Sequence, residues 1–151
     1  TKRIYFRTNY SMNKGIYYGT AEQGYGKRIS ASLTLQLSDK FNAEMNHNFS
    51  SLYNSETDDK YYDVHILRGK FIYQANKYLF FRTIIQYNSL SEVLAPNFLA
   101  SFTYIPGTVV HLGYGSIYEK EEWDGSQYVD SDKFLDVSRG LFFKASYLFR
   151  Y

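Results

Sequence analysis

The sequence predicts an all-β fold: an antiparallel, up-and-down transmembrane β-barrel, with eight strands in this chain and a single domain over residues 1–151. Three observations predict it. Apolar and polar residues alternate with a period of two along most of the chain. The chain holds 17 Tyr and 12 Phe, yet its mean hydropathy is −0.43. The links between alternating runs are short and long in turn. A membrane barrel produces this combination, because only every second side chain meets lipid and aromatic rings gather where strands cross the two interfaces.

The first run sets Ile4, Phe6, Thr8, Tyr10 and Met12 against Arg3, Arg7, Asn9, Ser11 and Asn13, and the same phase reaches Ile16 and Tyr18. The second is the cleanest: Ile29, Ala31, Leu33, Leu35 and Leu37 alternate with Arg28, Ser30, Ser32, Thr34, Gln36 and Ser38. A helix would scatter those leucines around its circumference. Next, Phe41, Ala43, Met45, His47 and Phe49 oppose Asn42, Glu44, Asn46, Asn48 and Ser50. In the fourth run Leu67, Gly69, Phe71 and Tyr73 oppose Arg68, Lys70 and Gln74, with Val64, Ile66 and Ile72 blurring the pattern. In the fifth, Leu79, Phe81, Thr83, Ile85 and Tyr87 oppose Arg82, Gln86 and Asn88, with Phe80 and Ile84 out of phase. Phe98, Ala100, Phe102 and Tyr104 mark the sixth run, and Val110, Leu112 and Tyr114 the seventh. The last sets Leu141, Phe143, Ala145, Tyr147, Phe149 and Tyr151 against Lys144, Ser146 and Arg150.

Ser38-Asp39-Lys40, residues 74–77 and Ile105-Pro106-Gly107 read as tight turns, the last as type II with Pro then Gly at its centre. Longer links are expected near residues 20–27, 54–61, 89–96 and 119–138. Short turns on one side and long loops on the other match the outer-membrane arrangement, with the short side periplasmic and both chain ends on that side. Most of the acids fall in or beside the long links. Tyr17, Tyr18, Tyr53, Tyr61, Tyr62 and Tyr118 band toward the loops, and Phe41, Tyr73, Tyr78, Tyr104, Phe149 and Tyr151 toward the turns.

Other classes are narrowed by what is missing. No apolar run approaches 18 residues, so no helix spans a membrane. With no cysteine there are no disulfides, thiolate metal sites or thiol nucleophiles. A net charge of +2 is too small to argue for a nucleic-acid partner. The chain opens at Thr1 with neither Met nor a signal-like segment, which reads as a mature form or a piece of something longer.

The face opposite the apolar one is expected to line the lumen. It carries Arg7, Arg28, Arg68, Lys70, Arg82 and Lys144, with Arg3 and Arg150 nearer the periplasmic edge, against Glu44 alone. The interior of a closed eight-stranded barrel is just filled by side chains. Packing those cations there would strand several of them, at a cost of several kcal/mol each. A wide, wet lumen or acidic partners from further strands would relieve this, and cationic rings of this kind favour anionic solutes. His47, His65 and His111 lie on different strands without metal-like spacing, and His47 reads as an interfacial polar tip. A hydrolase triad of His65, Asp63 and a loop serine has no spacing to support it. The link with Glu119, Glu121, Glu122 and Asp124 is acidic but lacks a calcium-loop pattern, and reads as solvated. No metal or cofactor is expected.

The stretch LFFKASYLFRY resembles the C-terminal signal, here Leu141, Phe143, Tyr147, Phe149 and Tyr151, by which the outer-membrane barrel assembly machinery engages its substrates. More widely, GIYYGT at 15–20, LTLQLSDKF at 33–41, FFRTIIQYNS at 80–89 and SFTYIPGTVVHLGYG at 101–115 join that stretch in resembling a barrel family. That family forms the C-terminal region of large Gram-negative cell-envelope proteins, often after a family-9-like carbohydrate-binding module. The resemblance carries no catalytic motif, and the acidic link at 119–138 departs from it. It implies that these are the last strands of a larger barrel in the bacterial outer membrane. The expected function is porin-like, or an envelope scaffold linked to glycan handling. The expected partners are outer-membrane lipid, lipopolysaccharide, the assembly machinery and other envelope proteins. A self-contained eight-stranded anchor or adhesin using its acidic loops, a soluble lipocalin-type barrel and a barrel-embedded lipid hydrolase are the alternatives.

Overall fold

The computed structural model describes residues 3–123 and 125–149. Eight strands form one sheet: β1 (Arg3–Tyr17), β2 (Glu22–Ser38), β3 (Phe41–Asn54), β4 (Lys60–Gln74), β5 (Leu79–Asn88), β6 (Val93–Ile105), β7 (Thr108–Trp123) and β8 (Tyr128–Ser146). They lie side by side in chain order, each antiparallel to the next, and no helix occurs among the described residues. β1 and β8 are not bonded to one another, so the sheet is open with an edge on either side.

The connections follow local chemistry. Gly107 has φ 92° after Pro106, and Ile105 pairs with Thr108 across the turn, as a type II turn requires. The Asn76 side chain accepts from the amides of Tyr78 at 2.8 Å and Leu79 at 3.0 Å, tying down the β4–β5 turn. On the opposite side each link contains one left-handed residue: Ala21, Asp58, Glu92 or Gly125.

Alternation located every strand but understated their lengths. β2 begins at Glu22, β3 runs to Asn54, β4 starts at Lys60 and β6 at Val93. The largest correction concerns residues 119–138, expected as a loop: β7 continues to Trp123 and β8 starts at Tyr128, making a long two-stranded ribbon. A ribbon with charged residues on both faces has no apolar phase to read. The last strand also ends earlier than expected, at Ser146 rather than 151. Ser146 pairs with Val109, and just beyond that the neighbouring chain turns away at Pro106-Gly107, leaving no partner to bond. Leu148 lies against Gly107 instead.

There is no second layer. The accessible surface is 11276 Å², whereas a compact protein of 17.7 kDa exposes about 7,900 Å². Among the described residues, Ala43 and Leu52 are the only buried apolar side chains. Leu52 lies over three glycines, with Cδ1 3.1 Å, 3.2 Å and 3.7 Å from where a Cβ would stand on Gly15, Gly24 and Gly26.

Register decides what each face holds. One cross-strand row runs Ile4, Leu35, Ala43, Phe71, Thr83, Phe98, Tyr114, Leu141 through all eight strands. A row on the other face, one residue along, runs Tyr5, Thr34, Glu44, Lys70, Ile84, Asn97, Gly115, Gly140. The strands therefore pair so that their separate apolar phases merge into one apolar face.

Candidate functional site

The basic residues singled out from the sequence share the polar face and occupy successive levels on it. Arg28 stands nearest the loops, in the row Ser11, Arg28, Ser50, Val64. Arg7 and Arg68 share the row Arg7, Ser32, Asn46, Arg68, Gln86. Lys70 pairs across the strands with Glu44, and Arg82 stands in the row Gln36, Asn42, Ile72, Arg82, Leu99 with Arg3 at its end. Lys144 pairs with His111 at the turn side. Arg150 lies outside the described residues.

The Lys70 ammonium donates to both Glu44 oxygens, at 3.1 Å and 3.2 Å. Among the described residues, no other carboxylate lies within ion-pair distance of Arg7, Arg28, Arg68, Arg82 or Lys144. The charge imbalance expected from the sequence persists in the fold.

The same face also carries an apolar island that alternation did not anticipate. Ile72, Phe80 and Ile84, which break phase in the sequence, stand on the basic face with Leu99 and Phe142. Phe142 is paired with Gly113, and a Cβ on Gly113 would overlap its ring. Arg82, Ile84, Asn97, Leu99 and Phe142 border a cavity of about 180 Å³ there. A glycine directly opposite an aromatic was the available signal, since a ring can cover a residue with no side chain.

At the loop end the expected tyrosine band is interlocked. Tyr17 stacks on Tyr61 at 4.3 Å and Tyr25 on Tyr53 at 5.4 Å. Tyr61 donates to Glu22 and accepts from Asn54, while Tyr25 donates to Asp58. Lys27 lies over the Tyr25 and Tyr53 rings, 5.6 Å and 5.0 Å from their centroids.

His47 and His65, far apart in sequence, meet on the apolar face through Nε2···Nδ1 contact at 3.0 Å, with Phe49 against His65 at 4.7 Å. Two histidines with no third ligand make no metal cluster among the described residues. His111 stands apart from them on the basic face.

Leu141 and Phe143 of the C-terminal stretch face the apolar side, opposite Tyr114 and Leu112. Tyr147 and Phe149 lie past the end of β8 in edge-on contact at 4.9 Å, and Tyr151 lies outside the described residues. Glu119, Glu121 and Glu122 belong to β7, in register with Leu135, Asp130 and Val129, rather than to a loop. Asp124 lies outside the described residues. Nearby, Lys120 reaches Glu92 at 3.7 Å.

No family model matches the chain, and neither a curated protein nor a solved structure matches it.

Proposed function

We propose that this sheet is a wall section of a porin-like outer-membrane β-barrel, its apolar face on acyl chains and its basic face on a water-filled lumen. The observation that carries the reading is the apolar face itself. Leu67, Phe6, Leu112, Leu141 and Phe143 are 48%, 67%, 49%, 74% and 69% exposed, and no second layer covers them. Each 1,000 Å² of such surface that is covered by hydrocarbon contributes about 25 kcal/mol, against a typical net stability of ~5–15 kcal/mol. Leaving it in water is not a small penalty. A lipocalin-type barrel turns its apolar face inward instead, which would set the basic rows outward in water.

The open edges of β1 and β8 support a barrel with more strands than these, as does a basic face whose single close ion pair is Lys70–Glu44 among the described residues. The resemblance to C-terminal barrel regions of envelope proteins points the same way and adds the link to glycan handling. Lipid, lipopolysaccharide and the assembly machinery are the partners this reading requires, the last engaging the stretch with Leu141 and Phe143.

Extraction and gel migration of the full-length protein test the reading. It should need detergent and should migrate faster unheated than boiled; recovery in a wash without detergent would overturn it. In planar bilayers the pore should prefer chloride to potassium, and a cation preference would remove the anion-selective lumen. Refolding of these 151 residues alone into a heat-modifiable monomer would replace the larger barrel by a self-contained anchor.

A further inference from the structure

The apolar face is not evenly filled. Ala31 and Gly69 supply almost no side chain among rows of Leu, Met and Phe, and Phe71 leans over Gly69 with a ring carbon 3.1 Å from where a Cβ would stand. A groove of about 470 Å³ results, bordered by Phe6, Leu33, Met45, Leu67 and Phe71. Its width and apolar lining suit hydrocarbon chain.

Three rows lead from the groove toward the loops on this face: Tyr10, Ile29, Phe49, His65; then Met12, Lys27, Ser51, Asp63; then Lys14, Tyr25, Tyr53, Lys60. Together the uppermost two carry Lys14, Lys27 and Lys60 against Asp63, with Tyr25 and Tyr53 in the upper one. Lys60 is held by Asp63 at 2.9 Å, and the Asp58 carboxylate accepts from Tyr25. Lys14 and Lys27 have no carboxylate within ion-pair distance among the described residues. Lys27 stands four residues beyond Ala31 on β2, about 13 Å at the rise of a strand. That is the separation between the phosphate of a lipid headgroup and the middle of its acyl chain. The bonded His47–His65 pair begins at the groove itself, with His47 in Ala31's own row and His65 one row nearer the loops.

We infer that the groove and the two lysines form one site for a phosphorylated lipid of the loop-side leaflet, with an acyl chain along Ala31 and Gly69 and the phosphate at Lys14 and Lys27. The site rests on the membrane reading above and deepens it by assigning a lipid chemistry to one stretch of the wall. Tyr25 and Tyr53 hold Lys27 against their rings, so its ammonium is presented rather than free to sweep through solvent.

The test uses the full-length protein in detergent, incubated with lipid A, with chemically dephosphorylated lipid A or with phosphatidylcholine, and read by native mass spectrometry for retained lipid. Lipid A should be retained over its dephosphorylated form by about thirtyfold, as two lysines near a membrane surface provide. Lys14→Gln with Lys27→Gln should remove that preference while heat-modifiable migration stays as it was. Ala31→Trp should lower retention of both forms by filling the groove. Equal retention of the two forms, or a preference that survives the double substitution, would overturn the inference. Displacement of lipid A by millimolar inorganic phosphate would overturn it too, leaving an anion site without a chain. A protein that never shows heat-modifiable migration sinks the membrane reading itself, whereas one that does and lacks the preference sinks only this site.

Discussion

Leu67 and Arg68 are neighbours on β4, one peptide bond apart, and stand in different company. Leu67 lies in a row with Ala31, His47 and Tyr87, and Arg68 in a row with Arg7, Ser32, Asn46 and Gln86. The rows through Ile4 and Phe6 are almost wholly apolar, and the face gains His47, His65, Lys27 and Asp63 only toward the loops, while the basic rows mix cations, amides, hydroxyls and an apolar island throughout. A uniform face suits a medium that makes no distinctions among its contacts, as hydrocarbon does. A mixed face has its polar groups solvated individually, as water and local partners do. On the membrane reading proposed above, the contrast teaches that the sheet is specified by its two solvents more than by any core.

Substitutions at adjacent positions put that contrast at risk. Leu67→Arg should cost about 2–4 kcal/mol, the penalty for a cation on the lipid side of a barrel, in urea unfolding of the full-length protein in micelles. Arg68→Leu should change stability by less than 1 kcal/mol or so, since a surface side chain facing water is cheaply replaced. Equal costs at the two positions would erase the distinction between faces. Gly113→Ala should cost about 1–3 kcal/mol by forcing the Phe142 ring aside, and much less when Phe142→Ala is already present; a double-mutant cycle with no coupling would show that the ring does not rest there. Glu44→Gln leaves Lys70 without its partner and should cost about 0.5–1 kcal/mol after screening by water. It should also move the reversal potential toward greater anion preference, and an unchanged potential would place this pair off the conducting path. The smallest effect belongs to Tyr61→Phe, which keeps the stack on Tyr17 but loses the donor to Glu22. It should be read as a loss of proteolytic protection at the loop end before any change in the strands.

The positions of the strands were legible because Leu33, Leu35 and their counterparts must all face one way, and a period of two leaves a trace wherever one face is apolar. The lengths were not, because the ribbon around Glu119–Glu122 and Val129–Asp130 is polar enough on both sides to carry no phase. Register sets Arg7, Arg28, Arg68, Lys70, Arg82 and Lys144 on one shared face of the sheet, the face their phase within each strand implies. Ile72, Phe80 and Ile84 looked like noise in single strands; only register sets them on one face with Leu99 and Phe142, where Ile84 shares a cavity with those two. The contacts of His47 with His65 and of Tyr17 with Tyr61 depend on register between strands, which a one-dimensional pattern does not encode.

On the membrane reading proposed above, the two bare flanks of the sheet have a consequence for the order of events during biogenesis. Every second residue of β1 and of β8 aims its amide and carbonyl sideways at nothing among the described strands. In water those groups are satisfied at once, but in hydrocarbon each one left alone costs several kcal/mol. A sheet of this shape therefore does not slip into a bilayer first and look for neighbours afterwards. Lateral zipping must be complete, or chaperoned by another protein's strand, by the time the flanks leave the aqueous phase.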